Sequence, residues 1–141
     1  MKGAAMYVFD SDVLIEFLRG RLPSALDMLR NTDARLVKVP AIVQAELLVG
    51  AEKSANPEKS RLAIERLLLE YEVLPFDSRC AAIYAQIRAD LEKRGEKIGA
   101  NDYIVAATAL AHDATLVTNN VREFKRIPNL RLMSLSEVDL A

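Results

Sequence analysis

The chain has 141 residues, a length typical of one domain, and 51% of them are hydrophobic, which is enough to build a core. Lys and Arg total 19 against 20 Asp and Glu, and the net charge of −1 excludes a protein that attracts nucleic acid through a strongly positive overall charge. The only cysteine, Cys80, excludes an internal disulfide, and no uncharged stretch is long enough to span a bilayer. We therefore expect one cytoplasmic domain over residues 1–141.

Short apolar runs bounded by turn-forming or acidic residues predict strands at residues 6–9, 34–40, 71–76, 114–120 and 130–135. Between them, apolar residues at helical spacing predict helices. These are a helix that Ser11 or Asp12 caps and that ends near Gly20, a short helix from Pro23, helices at about 41–53, 58–69, 77–94 and 101–113, and a helical turn at 121–125. Strands that alternate with helices predict an α/β fold with a mostly parallel sheet of four to five strands flanked by helices.

Two carboxylates follow the first predicted strand. Asp10 ends the apolar run, and Asp12 comes two residues later, where the chain turns into a helix. In open α/β sheets, ligands bind at the carboxyl ends of the strands, which is where Asp10 would lie. Asp12 is better explained as a helix cap or as a group that supports a neighbouring acid.

Glu46 lies in an unusually apolar predicted helix, AIVQAELLVGA. At helical spacing its neighbours are Ile42 and Val43 on one side and Val49 and Gly50 on the other, so we expect its carboxylate to be drawn toward the core. An unpaired buried charge costs several kcal/mol and must be compensated. A salt bridge to Lys or Arg and the binding of a cation both remain open at this point.

Asp102 is the third acid in apolar surroundings, near the start of the predicted helix at 101–113, where Asn101 is a candidate cap. The helix dipole alone explains an acid there, since it contributes about 0.3 to 1 kcal/mol. A doubly wound sheet can nevertheless bring Asp10, Glu46 and Asp102 to one edge. Three carboxylates with no cationic residue between them repel one another unless a hard cation such as Mg²⁺ or Mn²⁺ joins them, which is the arrangement used for metal-assisted phosphodiester hydrolysis.

Three segments resemble the motifs of PIN domains and occur in the family's order. VFDSDVLIEFL at 8–18 is similar to the first motif, AIVQAELLVGA at 41–51 to the second, and IGANDYIVAATALAHDATLVTNNVREFKRIPNL at 98–130 to the third and fourth motifs of VapC-type toxins. The resemblance implies a PIN-like fold and an endoribonuclease that uses Mg²⁺ or Mn²⁺. It also implies a homodimer that a VapB-type antitoxin inhibits, and it assigns metal binding and catalysis to Asp10, Glu46 and Asp102.

The chain departs from the family's pattern at Asn120. Many members have a fourth acid at this position, so the amide leaves a second metal site in question. Glu123 lies three residues further on, on the same side of a helical turn, and is our candidate for the replacement metal ligand, the alternative being an exposed acid without a role. Thr118 and Asn119, at a predicted strand end, are candidates to hydrogen-bond the acids or the scissile phosphate, or are ordinary turn residues. We place Asp12, Thr118, Asn119 and Asn120 together as substrate-binding or supporting residues.

RNA and an antitoxin would need different surfaces. Phosphates require nearby cations, and three loop clusters offer them. These are Arg19 and Arg21, then Lys93, Arg94 and Lys97, and then Arg122, Lys125 and Arg126.

An amphipathic helix of an antitoxin requires an apolar groove. Candidates for its lining are Leu47, Leu48, Leu67 and Leu68, which core packing explains equally well.

Other functions fit parts of the pattern. A phosphatase of the haloacid-dehalogenase type would use Asp10 as its nucleophile, but too little chain follows Thr118 to complete that fold, and Glu46 would be unexplained. A non-catalytic interaction module would hold the acids in salt bridges. A response-regulator receiver would need a phosphorylatable acid ending a middle strand, and Asp77 is better explained as a helix cap. The single histidine, His112, excludes a His-rich zinc site.

Overall fold

The computed structural model describes residues 5–21 and 23–135 of the protein. The strands are β1 (Tyr7–Phe9), β2 (Val37–Pro40), β3 (Glu72–Leu74), β4 (Thr115–Val117) and β5 (Arg131–Met133). The helices are α1 (Ser11–Leu18), α2 (Pro23–Asn31), α3 (Ala41–Glu52), α4 (Pro57–Leu68), α5 (Ser78–Lys93), α6 (Ala100–Ala111) and α7 (Val121–Phe124). The predicted elements are therefore present in the predicted order.

The strands form one parallel sheet in the order β3-β2-β1-β4-β5. Phe9 of β1 is in register with Val117 of β4, so the next residue of each strand, Asp10 and Thr118, lies at the same carboxyl edge. β2 and then β3 are added on one side of β1, and β4 and then β5 on the other, so the strand order reverses between β1 and β4. Ligands of open α/β sheets bind at such a reversal of strand order. The predicted parallel α/β sheet is confirmed, and Asp10 lies at its centre.

The last two residues of β1 and of β4 are apolar, as expected where both faces of a strand are covered. Val8, Phe9, Leu116 and Val117 each have 0% of their surface exposed. α6 is similarly enclosed, since seven of its twelve residues are buried. The helix is thus buried on several sides, and this packing supports the acid in its first turn.

The start of α1 differs from the prediction. Asp10 itself is the cap, because its backbone is extended where β1 ends and its Oδ1 accepts a 2.8 Å hydrogen bond from the backbone N–H of Ser11. Ser11 and Asp12, which the sequence suggested as caps, lie inside the helix. The same carboxylate thus ends the strand and starts the helix, which limits its freedom to rotate.

Residues 34–36 also differ from the prediction, because they form a 3-10 turn and not the start of a strand. The side chain of Asp33 accepts a 2.9 Å hydrogen bond from the backbone N–H of Arg35. This local bond closes the turn and delays β2 until Val37.

The predicted cap of α5 is confirmed, because Asp77 accepts a 3.0 Å hydrogen bond from the backbone N–H of Cys80. α6 ends at Ala111, and His112 directly follows it. Cys80 is a free, buried thiol. In the part of the chain that the structure describes, no helix has both the length and the apolar composition needed to cross a membrane.

Candidate active site

Asp10 is the most firmly held acid at the carboxyl edge of the sheet. Only 5% of its surface is exposed. Its Oδ1 accepts the N–H of Ser11, and its Oδ2 accepts the hydroxyl of Thr118, both at 2.8 Å. Burial raises the pKa of this carboxyl, and the two hydrogen bonds oppose that rise. The sequence placed Asp10 at this edge, and the structure supplies the partners that orient it.

Thr118 connects Asp10 to the loop that follows β4. It is fully buried, and its hydroxyl oxygen also accepts a 3.0 Å hydrogen bond from the backbone N–H of Asn120. The hydroxyl can donate only one proton, which goes to Asp10. Thr118 is therefore a hydrogen-bonding support, as one of the two interpretations of the sequence suggested.

Asp12 lies beside Asp10, and its Oδ2 accepts a 3.1 Å hydrogen bond from the backbone N–H of Asn119. Burial, followed by the negative charge of Asp10, raises the pKa of Asp12 to about 6. Oδ1 of Asp12 and Oδ1 of Asn119 are both buried, and neither has a hydrogen-bond partner within the described residues. These are two oxygen atoms with remaining capacity to bind a proton donor or a cation.

Glu46 lies beside the buried stripe of α3 and not within it, which corrects the expectation from the sequence. The stripe consists of Val43, Leu47 and Ala51, whereas the predicted neighbour Val49 is 52% exposed. An apolar helix with no clearly polar face does not reveal which side packs inward. The half-buried Glu46 has a raised pKa, chiefly from burial and further from the charge of Asp10.

Asn101 contacts Glu46, whereas the sequence suggested it as the cap of α6. α6 begins at Ala100 with Gly99 as its cap, so Asn101 is inside the helix. Its side-chain Nδ2 donates a 3.5 Å hydrogen bond to Oε2 of Glu46, 55 residues away in the chain. An Asn next to a candidate catalytic acid was the only signal in the sequence.

Asp102 occupies the first turn of α6, close to the cap residue Gly99. A Cβ atom at Gly99 would lie 3.5 Å from Oδ2 of Asp102. The pKa of Asp102 is raised to about 6, first by burial and then by the charges of Asp10, Glu123, Glu46 and Asp12, in that order. The carboxylates that the sequence singled out are thus within electrostatic range of one another.

Glu123 lies on α7, and its Oε2 accepts a 3.4 Å hydrogen bond from the side-chain Nδ2 of Asn120. The amide therefore stands directly beside the acid that we expected to replace a carboxylate at position 120. Because the charge of Glu123 acts on Asp102, α7 presents this acid toward the same edge of the sheet.

None of these acids forms an ion pair with a cation among the described residues, which argues against the interaction module held together by salt bridges. In residues 5–21 and 23–135, no three His, Cys, Asp or Glu side chains are gathered closely enough to hold a metal ion. The carboxylates repel one another across the site without converging on one point. Their oxygen atoms are the donors that Mg²⁺ and Mn²⁺ prefer, so the donor chemistry fits a hard cation that keeps several water ligands.

A family profile for the PIN domain matches residues 7–130. The chain is 35% identical over 130 residues to Ribonuclease VapC2 of Rickettsia felis, covering 90% of this chain and 96% of that protein. It is 32% identical over 126 residues to the tRNA(fMet)-specific endonuclease VapC of Salmonella typhimurium, covering 89% and 95%. The crystal structure of DNA-bound VapBC from Salmonella typhimurium superposes with a TM-score of 0.88 at 30% identity, covering 94% of this chain and 99% of that chain.

Proposed function

Because this chain belongs to the PIN-domain family and, within it, to the VapC ribonucleases, we propose that it is a metal-dependent endoribonuclease that hydrolyses phosphodiester bonds of RNA. The observation that carries the proposal is the placement of Asp102 near Asp10, Glu46 and Glu123 at the reversal point of the sheet, where their charges raise its pKa and no cation of the described residues pairs with any of the four. Such a cluster is costly unless a cation binds it.

We assign the metal ligands to Asp10 and Asp102 first, with Glu46 and Glu123 on either side. Asp10 is fixed by two hydrogen bonds, whereas Asp102 and Glu46 are only partly buried. The more mobile carboxylates can therefore turn toward an ion near Asp10, and water molecules can complete its coordination. Mg²⁺ and Mn²⁺ both suit this all-oxygen donor set.

A bound divalent ion would supply Lewis-acid activation of the attacking water and of the scissile phosphate. Glu46, half-buried and close enough for the charge of Asp10 to raise its pKa, would orient that water and accept its proton. Attack of the water on phosphorus would break the bond from phosphorus to O3′, with the proton of the water passing to Glu46 and O3′ taking a proton from solvent. The products are a 5′-phosphate and a 3′-hydroxyl. Asn119 and Asn120 offer amide groups to the phosphate oxygens beside Asp10.

We also propose that a VapB-type antitoxin inhibits the chain, since a solved relative is a VapBC assembly. An apolar groove of about 310 Å³ lies between α1, α3 and α4, and its lining includes Leu18, Leu47 and Ile64. A neighbouring groove includes Leu48 and Leu68. These grooves can receive an amphipathic helix.

Two further expectations concern the groove leucines and the oligomeric state. Leu47 belongs to the core, and Leu48, Leu67 and Leu68 pack partly buried against it, so core packing accounts for all four leucines. Three of them also line the two grooves, whereas Leu67 lines neither. A homodimer is proposed from the resemblance alone, and light scattering of the purified chain measures its mass directly.

The test is a cleavage assay with purified protein, RNA and either Mg²⁺ or Mn²⁺, with and without EDTA. One of the relatives is named for tRNA(fMet), so we propose tRNA as the first substrate to examine. We expect cleavage that requires the metal ion and leaves ends that carry a 5′-phosphate, detected by direct ligation of an adaptor. Cleavage that persists in EDTA, or 2′,3′-cyclic ends, would refute the proposed chemistry.

A further inference from the structure

Two cationic segments that are far apart in the chain are joined by hydrogen bonds from arginine side chains. Arg126 donates from Nη1 to the carbonyl oxygen of Lys97 at 3.1 Å. Arg94 donates from Nη2 to the carbonyl oxygen of Arg126 at 2.9 Å. The end of α5 and the loop after it are therefore held against α7 and the residues that follow it.

The joined segments border the candidate active site. Lys97 lies two residues before Gly99, the cap of α6, and this helix carries Asp102 in its first turn. Glu123 belongs to the other segment, and its charge acts on the same carboxylate. The connection between the segments thus places their cations beside the acids that we assign to catalysis.

We call this surface the basic ledge and define it by the cations of the two segments, Lys93, Arg94, Lys97, Arg122, Lys125 and Arg126. Arg94 is neutralised by Asp90 at 3.0 Å and by Glu96 at 3.5 Å. The other cations of the ledge form no ion pair within the described residues, and all of them except the partly covered Arg126 are exposed. In a chain of net charge −1, these unpaired cations concentrate positive potential on one surface.

The cluster after α1 differs from the ledge, although the sequence offered it equally. Arg19 interacts with Glu16 at 3.7 Å and lines the apolar groove between α1, α3 and α4. Arg19 therefore has an ion-pair partner and borders an apolar surface, unlike the unpaired cations of the ledge.

We propose that the basic ledge binds the phosphate backbone of RNA beside the scissile bond. This inference rests on the proposed ribonuclease function. The carboxylates of the site repel phosphates, and a polyanion can approach them only where neighbouring cations offset that repulsion. We assign direct phosphate contact to Lys97 and Lys125, which are exposed and have no ion-pair partner among the described residues. Both adjoin the hydrogen bond that joins the segments, since the carbonyl of Lys97 accepts it and Lys125 precedes its donor Arg126.

The experiment measures the binding of a short fluorescein-labelled oligouridine by anisotropy over a range of salt concentrations. The cleavage-inactive Asp10→Asn protein serves as background, so the RNA stays intact. Lys97→Ala with Lys125→Ala should weaken binding about tenfold at low salt. It should also lower the slope of log affinity against log salt by about 1.4, since each phosphate contact to single-stranded RNA contributes about 0.7. Lys97→Arg with Lys125→Arg should restore most of the binding.

The matched control is Lys53→Ala with Lys59→Ala, which removes two exposed lysines from the α3–α4 hairpin and should leave both readings unchanged. Affinity for Mn²⁺, measured by calorimetry with Asp10 intact, should be the same in all of the lysine variants. If the ledge variant binds RNA as well as the control while the parent protein cleaves RNA, the ledge assignment is wrong and the nuclease stands. If the parent protein neither binds nor cleaves RNA, both the proposed function and the ledge assignment are wrong.

Discussion

The hydroxyl of Thr118 donates a 2.8 Å hydrogen bond to Oδ2 of Asp10, across 108 residues of chain. The bond is completely buried and joins the carboxyl ends of the two central strands. Since the same hydroxyl accepts the N–H of Asn120, a single side chain fixes both an acid of the site and the loop that carries two amides. Thr118 is therefore expected to matter more for the geometry of the site than a turn residue would.

Thr118→Val tests this role, because valine has the shape of threonine without the hydroxyl. We expect a loss of about 1 to 3 kcal/mol in the free energy of unfolding, since a buried carboxylate and a backbone N–H both lose a partner. RNA cleavage should fall at least tenfold. Thr118→Ser, which keeps the hydroxyl, should retain most of the activity. Chemical denaturation measures the change in stability, and cleavage rates measure the change in activity. Equal activity of the Val and Ser variants would show that the Thr118 hydroxyl has no role in the site.

Asp10→Asn should abolish cleavage and leave the fold intact. The amide oxygen of Asn caps a helix as well as Asp does, so α1 keeps its first hydrogen bond. The negative charge at the centre of the site is lost, and with it one of the carboxylates that we propose as metal ligands. Asp27→Asn, an exposed change on α2, serves as the control. Full activity of the Asp10→Asn protein, with a circular dichroism spectrum like that of the parent, would refute our assignment of the active site.

Glu123→Gln should weaken Mn²⁺ binding about tenfold, a typical effect of altering one group around a metal site. Gln keeps the length of the side chain and an oxygen for the hydrogen bond from Asn120, so only the charge changes. Calorimetric titration measures the affinity, and Glu70→Gln, exposed in the turn after α4, is the control.

A second substitution shows whether Glu123 replaces the acid that many PIN domains have at position 120. Asn120→Asp, introduced into the Glu123→Gln protein, should restore Mn²⁺ affinity because it returns a carboxylate to the neighbouring position. If Glu123→Gln alone binds Mn²⁺ as tightly as the parent, the acid has no part in metal binding.

The position of Asp10 could be predicted from the sequence because it depends on local pattern. An apolar run that ends in an acid and continues as a helix defines a strand end, and alternating strands and helices define a parallel sheet. The register that places Phe9 beside Val117 then brings Asp10 and Thr118 together. Little more than the order of the elements was needed for this part of the site.

The orientation of Glu46 and the role of Asn101 could not be predicted in the same way. α3 is apolar on most of its surface, so periodicity does not determine which stripe packs inward, and Glu46 lies outside the stripe that does. The contact between Asn101 and Glu46 depends on how α3 and α6 pack, which no local pattern encodes. For the same reason, the sequence predicted that the acids share one edge but not how closely they approach.

The raised pKa values of the acids predict how the stability of the metal-free protein changes with pH. Asp12 and Asp102 each have a pKa of about 6 in the folded chain against an ordinary value of 3.8, so the folded state holds protons that the unfolded state has released. The protein should therefore become more stable as the pH falls from 7.5 to about 5. Asp33 and Asp77, whose pKa values are lowered, reduce stability only below that range.

Asp102→Asn should raise the stability of the metal-free protein at pH 7.5 and flatten its pH dependence, because it removes one of the repelling charges. Discounted for the partial exposure of this side chain, the gain is about 1 kcal/mol, or about 3 °C in Tm. Thermal unfolding in EDTA at several pH values measures it, with Asp27→Asn as control. Saturating Mn²⁺ should reverse the order of the two proteins at pH 7.5, since only the parent retains the carboxylate that binds the ion. If Asp102→Asn lowers the stability of the metal-free protein, the acids are not in the repulsive arrangement on which the metal site depends.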